Sequence, residues 1–200
     1  MTPRMHLITP ERSSRNLFYN REYACHQSVM AATGGERALW VDLAGSTEPP
    51  LLRVLTSSSF SAPSGWKLQA ESDYPIETLE KGEKLGFRIK CNPTIRREGK
   101  RFVAWTNHEG SRESAVTKWL RARAEPGGFQ IIDSTVLDID RVQIRSSAGG
   151  SSGSHQISFA TATVTGRVSV TDPDVFRQVL VDGLGPQKAF GCGLMLIKRL

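Results

Sequence analysis

The sequence predicts an α+β fold of two tandem ferredoxin-like (βαββαβ) domains, the first less regular than the second, and three observations carry that expectation. The chain opens with a β-α-β-β rhythm, repeats it more fully as β-α-β-β-α-β after residue 80, and separates the pieces with glycine and proline. The expected domains are 1–80 and 81–200. Two hundred residues with 38% hydrophobic content are enough to bury a core.

Residues 5–9 read as a short strand. Asn20 opens a helix through Tyr23, His26, Gln27 and Met30 that stops at Gly34-Gly35, a glycine stop signal. Residues 38–43 and 51–56 are apolar runs of strand length on either side of a Gly-Ser-Thr-Glu-Pro-Pro turn. Residues 57–84 are mixed, with Pro63, Gly65, Pro75 and Gly82, and read as a degenerate end to the first unit plus a linker. A strand follows at 84–91, with 101–106 expected as its hairpin partner across a basic loop. Residues 113–124 are amphipathic, with Val116, Trp119 and Leu120 at helical spacing, and end at Pro126-Gly127-Gly128. Two long strands, 129–145 and 155–170, flank a serine- and glycine-rich tip at 147–154 that reads as flexible. Asp172-Pro173 opens a short helix with proline in its first turn, and a strand at 193–198 closes the second unit.

Charge narrows the class of partner. Twenty-six Lys and Arg against twenty Asp and Glu give a net charge of +6, which biases the long-range field towards polyanions, nucleic acids first. No segment has signal-peptide form and no apolar run approaches ~18 residues, so a cytoplasmic protein without membrane contact is expected. Cys25, Cys91 and Cys192 lack C-x-x-C spacing and read as reduced thiols rather than a disulfide or zinc framework.

Gly183, Gly185, Gly191 and Gly193 surround Pro186 and Lys188 in a loop whose N–H groups suit an anion. It is no dinucleotide fingerprint, because Lys188 holds the third glycine position and too little chain follows, and no P-loop sequence occurs. The same glycines equally suit a plain turn from helix to strand. Basic residues cluster at Arg88, Lys90, Arg96, Arg97, Lys100 and Arg101, and again at Arg141 and Arg145, which is an electrostatic footprint for phosphates or else a solvated hairpin.

Of the four histidines, only His26 has a suitable helical companion, Tyr23, three residues earlier on the same face. An imidazole, ordinarily near pKa ~6.5, takes or gives a proton at neutral pH, while a phenol near ~10 stays protonated and donates or orients. Those are the needs of RNA cleavage without metal, although such a pair also occurs simply packed. His6, His108 and His155 read as strand, loop and loop-edge residues. Cys25 points about 100° away from His26 and makes no nucleophile–base pair. Asp138 and Asp140, with Asp133, offer a magnesium-binding alternative or an exposed acidic strand edge.

Tyr23-Ala-Cys-His26, Phe87-Arg-Ile-Lys-Cys-Asn-Pro93 with Gly99-Lys-Arg101, Trp119-Leu120 with Gly127-Gly128-Phe129, Gly166-Arg-Val168 with Asp172-Pro173, and the terminal Gly183-Leu-Gly-Pro-Gln-Lys-Ala-Phe-Gly-Cys-Gly193 occur in that order. Together they resemble the CasE family of CRISPR repeat-RNA endoribonucleases. The resemblance implies a cut at the base of the repeat stem-loop without metal or cofactor, leaving 2′,3′-cyclic phosphate and 5′-hydroxyl ends. It further implies retention of the product within a type I-E Cascade complex with its other subunits; the isolated protein is expected to be monomeric. The catalytic role falls on His26 and the supporting role on Tyr23. Some members carry a lysine where this chain has Ala31, and Arg21 or Lys188 are the substitutes considered. A non-catalytic subunit that only holds the stem-loop is the other reading.

Overall fold

The computed structural model describes residues 3–11, 20–146 and 155–200, without the side chains of residues 145, 146 and 155; the expected flexible tip at 147–154 lies outside them. The chain divides into two compact units. One comprises Met1–Tyr74, Val142–Phe159 and Lys188–Gly191, the other Pro75–Arg141, Ala160–Gln187 and Cys192–Leu200.

In the first unit β1 (Arg4–Pro10), α1 (Arg21–Ala32), β2 (Leu39–Asp42), β3 (Leu52–Thr56) and β4 (Trp66–Asp73) form an antiparallel sheet in the order β2-β3-β1-β4. This is the order of a ferredoxin-like unit, with the first and third strands central. Ile8, Leu52, Val54 and Trp66 from the strands meet Cys25 and Val29 from α1 and Trp40 from β2 in one core. The helix ends as its glycines require: Thr33 N–H and Oγ1 both return to the Val29 carbonyl, and Gly34 and Gly35 follow at positive φ. Strand β4 falls inside the segment read as degenerate. Only Trp66 of its eight residues is buried, so the alternation that betrays a half-buried strand is missing from this sheet edge. No second helix covers this sheet among the described residues; Phe60, in the connection from β3 to β4, packs on the core instead.

His6 shows what that replacement does. Its ring lies flat on Phe60, centroids 3.9 Å apart, and is 2% exposed. Burial pushes its pKa below the ordinary histidine value, an effect partly offset by Glu71 and reinforced by Arg4. A histidine whose folded pKa is depressed is protonated more readily in the unfolded chain, so its contribution to stability is complete above about pH 6.5 and is lost as pH falls below it. Melting temperature should therefore decline from pH 7 to pH 5. His6→Phe, which keeps the ring stack, should flatten that decline, and an unchanged slope in the variant would rule His6 out as its source.

In the second unit β5 (Lys84–Cys91), β8 (Phe129–Ser146), β9 (His155–Val170) and β10 (Met195–Arg199) repeat the order as β10-β5-β9-β8, with β5 antiparallel to β9 and β10. Helices α2 (Arg112–Ala124) and α3 (Pro173–Asp182) begin at capping side chains: Ser111 accepts from Ser114 N–H, and Asp172 from Asp174 and Val175 N–H. Their buried faces include Val116, Trp119 and Leu120, and Phe176 and Leu180; Phe176 meets Phe129 at 4.9 Å. One expectation is corrected here. Residues 101–106 do not pair with β5, whose two edges are taken by β9 and β10. Instead β6 (Thr94–Arg97) and β7 (Lys100–Val103) form a separate two-stranded hairpin, turned by Glu98 and Gly99, both at positive φ.

Candidate active site

Tyr23 and His26 project half-buried from α1, ring centroids 6.4 Å apart and tilted by 50°. Cys25 between them points into the core at 1% exposure, as the helical turn dictates. A third ring, which the sequence reading did not single out, completes the face. Phe190, from a short 3-10 turn at Lys188–Phe190 in the glycine-rich loop, stands 5.4 Å from His26, tilted by 59°. The Phe159 ring also lies 5.9 Å from Phe190, tilted by 30°. The available signal was the glycine after Phe190. Gly191 has φ +77°, and a Cβ there would stand 2.9 Å from the Trp40 indole.

Arg21 leaves the list of substitutes for the family lysine. Its Nε and Nη2 reach Asp42 Oδ2 at 2.7 and 2.6 Å, its Nη1 reaches the Glu48 carbonyl at 2.5 Å, and its side chain is only 12% exposed. It fastens α1 to β2. Lys188 sits half-buried in the turn that brings Phe190 to His26, while Ala31 is exposed near the end of α1.

The glycine loop is less open as an anion cradle than its composition suggests. The N–H groups of Gly183, Leu184, Gly191, Cys192 and Gly193 donate to the carbonyls of Val179, Gly193, Lys188, Gln187 and Lys90. Gly185, at φ +85°, lies so close to Trp119 that a Cβ would be 3.0 Å from the indole. Close packing over two indoles is what Gly185 and Gly191 provide.

In the second unit the basic residues form a distinct surface. Arg96 stands opposite Arg101 and Arg97 opposite Lys100 across the β6–β7 hairpin, all four exposed. Like charges directly opposed on a hairpin repel, and among the described residues no carboxylate lies within ion-pair distance of any of them. A polyanion relieves that repulsion. The hairpin base is fixed by α2: Trp119 Nε1 and Arg123 Nη2 both donate to the Thr94 carbonyl at 2.9 and 3.2 Å, with the Arg123 guanidinium 3.9 Å above the Trp119 ring. Arg88 is exposed and Lys90 half-buried on β5, and Arg141 is exposed on β8; the Arg145 side chain lies outside the described residues.

The remaining candidates separate cleanly. Asp138 and Asp140 are exposed, and the Asp133 carboxylate is taken by Arg167, which holds it below the usual carboxylate pKa range. Among the described residues no three His, Cys, Asp or Glu side chains are grouped to hold a metal ion. His108 bonds Ser114 Oγ, and the His155 side chain is not described. All three cysteines are buried thiols outside any disulfide, and burial raises the Cys91 thiol far above its ordinary pKa. No helix among the described residues is long and apolar enough to cross a membrane.

The repeated sheet order defines the class: a protein of two ferredoxin-like units. Within that class, the chain belongs to the family described as CRISPR associated protein, whose model matches residues 4–199. It is 28% identical over 193 residues to the CRISPR-associated endoribonuclease Cse3 of Thermus thermophilus, covering 88% of this chain and 89% of that one. A solved structure of CRISPR endoribonuclease Cse3 bound to 19 nt RNA superposes with a TM-score of 0.79 at 25% identity, over 98% of this chain and 99% of the other. Cas6e of Escherichia coli shares the fold at TM-score 0.71 and 19% identity, over 98% of this chain and all of that one. The resemblance drawn from the motifs is borne out: the chain is a Cse3/Cas6e homologue over nearly its whole length.

Proposed function

We propose that this protein is a cytoplasmic, metal-independent endoribonuclease that cleaves CRISPR precursor RNA within the repeat, at the base of its stem-loop, and retains the mature crRNA as a Cascade subunit. In this reading the first domain, 1–80, carries the catalytic helix and the second, 81–200, carries the basic hairpin and glycine-rich loop, whose turn Lys188–Gly191 packs within the first compact unit. A base removes the proton of the 2′-hydroxyl, whose oxygen bonds to the adjacent phosphorus. The bond from phosphorus to the 5′-oxygen breaks, and that oxygen takes a proton, leaving a 2′,3′-cyclic phosphate and a 5′-hydroxyl. His26 is the proton-transfer group. Tyr23, 6.4 Å away centre to centre, donates to or orients the substrate rather than bonding the imidazole. Arg96, Arg97, Lys100 and Arg101 receive the RNA backbone, joined by Arg88, Lys90, Arg141, Arg145, Lys188 and the loop glycines.

The observation that carries this reading is a half-buried imidazole beside a phenol on α1, with a ring of the glycine loop against it. The name of the homologous Cse3 supports the same reaction class. Cleavage of repeat RNA should continue unchanged in EDTA and stop when the nucleotide supplying the attacking hydroxyl is 2′-deoxy, while binding persists. Loss of cleavage on chelation would overturn the mechanism. Tight, salt-sensitive binding without any turnover would instead establish the non-catalytic stem-loop holder, a reading favoured by Ala31 in the lysine position.

A further inference from the structure

We propose that Phe190 is a positioning residue for His26, so that the glycine-rich loop acts on the chemistry through one aromatic ring; this rests on the reading of His26 as the proton-transfer group. The imidazole sits on a half-buried helix face, where core packing alone does not fix its side-chain torsions. Phe190 supplies the missing wall. A centroid separation of 5.4 Å with a 59° tilt falls within the favoured range for edge-to-face ring pairs.

The wall is itself held firmly. Trp40 Nε1 donates to the Ala189 carbonyl at 3.2 Å, immediately before Phe190, and Gly191 lies flat against the same indole immediately after it. Trp40 is 2% exposed and shares its core with Cys25 and Val29 of α1. The helix bearing His26 and the turn bearing Phe190 therefore rest on one buried side chain, and the Phe159 ring packs 5.9 Å from that of Phe190. Orientation matters at this scale, because an error of about 1 Å in a reacting group lowers a rate by about 10²-fold.

Single-turnover cleavage and equilibrium binding of repeat RNA test the role together. Phe190→Leu should slow cleavage by about 10- to 100-fold with a Kd within about twofold of wild type, and Phe190→Tyr should restore most of the rate. A reading independent of activity is the ring-current shift of the His26 imidazole protons, which should collapse in Phe190→Leu and persist in Phe190→Tyr. Phe190→Met, ringless but of similar bulk, repeats the test if the leucine variant is poorly folded. Wild-type rates in Phe190→Leu or Phe190→Met alongside an inactive His26→Ala would overturn the proposal and leave the nuclease reading standing. An active His26→Ala would overturn both.

Discussion

His26→Ala should bind repeat RNA with wild-type affinity and cleave it about 10²- to 10⁴-fold more slowly, the range that a positioned proton-transfer group contributes. The effect is confined to rate because the cations of the β6–β7 hairpin lie on other elements than α1. Stability should also hold, since the imidazole is half-buried on the helix surface while Cys25 and Val29 make the core contacts. Gel analysis of single-turnover cleavage beside filter binding separates the two quantities. Cleavage by the variant at the wild-type rate would remove His26 from the mechanism.

Gly166→Ala should be the most damaging of the small substitutions. Gly166 lies in β9 opposite Phe87 of β5, and a Cβ there would stand 2.2 Å from the Asp133 carbonyl oxygen and 2.8 Å from Ser134 Cα. These are backbone atoms of β8, which no rotamer change can move aside. The crossing is also pinned beside the glycine, where Arg167 N–H and Nε bind the two oxygens of Asp133 at 3.1 and 2.6 Å. Two strands of one sheet must therefore separate to admit a methyl group. Overpacking of this kind costs about 3 kcal/mol. At ~2–4 °C per kcal/mol in a chain of this size, thermal unfolding should shift down by about 6–12 °C. A melting temperature within about 2 °C of wild type would show that β8 yields more easily than its contacts imply.

Most elements were legible because local chemistry announces them. Asp172-Pro173 caps α3, Gly34-Gly35 ends α1, and both long strands stand as read. Two were not. Strand β4 buries only Trp66 at an edge of its sheet, so no alternation marks it, and Glu98-Gly99 forms a tight hairpin turn inside a basic run that hides the strand boundaries. The site divides in the same way. Tyr23 and His26 are one helical turn apart and could be paired from spacing. Phe190 could not, because its approach depends on Trp40 holding the Ala189 carbonyl across 149 positions of chain. Arg21 shows the converse: a cation at a promising position is already bound to Asp42 and Glu48.

The dependence on Trp40 also orders events in time. The helix with His26 and the strand with Trp40 belong to the first quarter of the chain, and Lys188–Gly191 to its last stretch. During synthesis His26, the proposed proton-transfer group, exists long before the ring that faces it. On the proposed roles of His26 and Phe190, a polypeptide still being made can fold its first sheet while its cleavage centre remains incomplete, and competence follows only when the glycine loop has been released and laid on the indole.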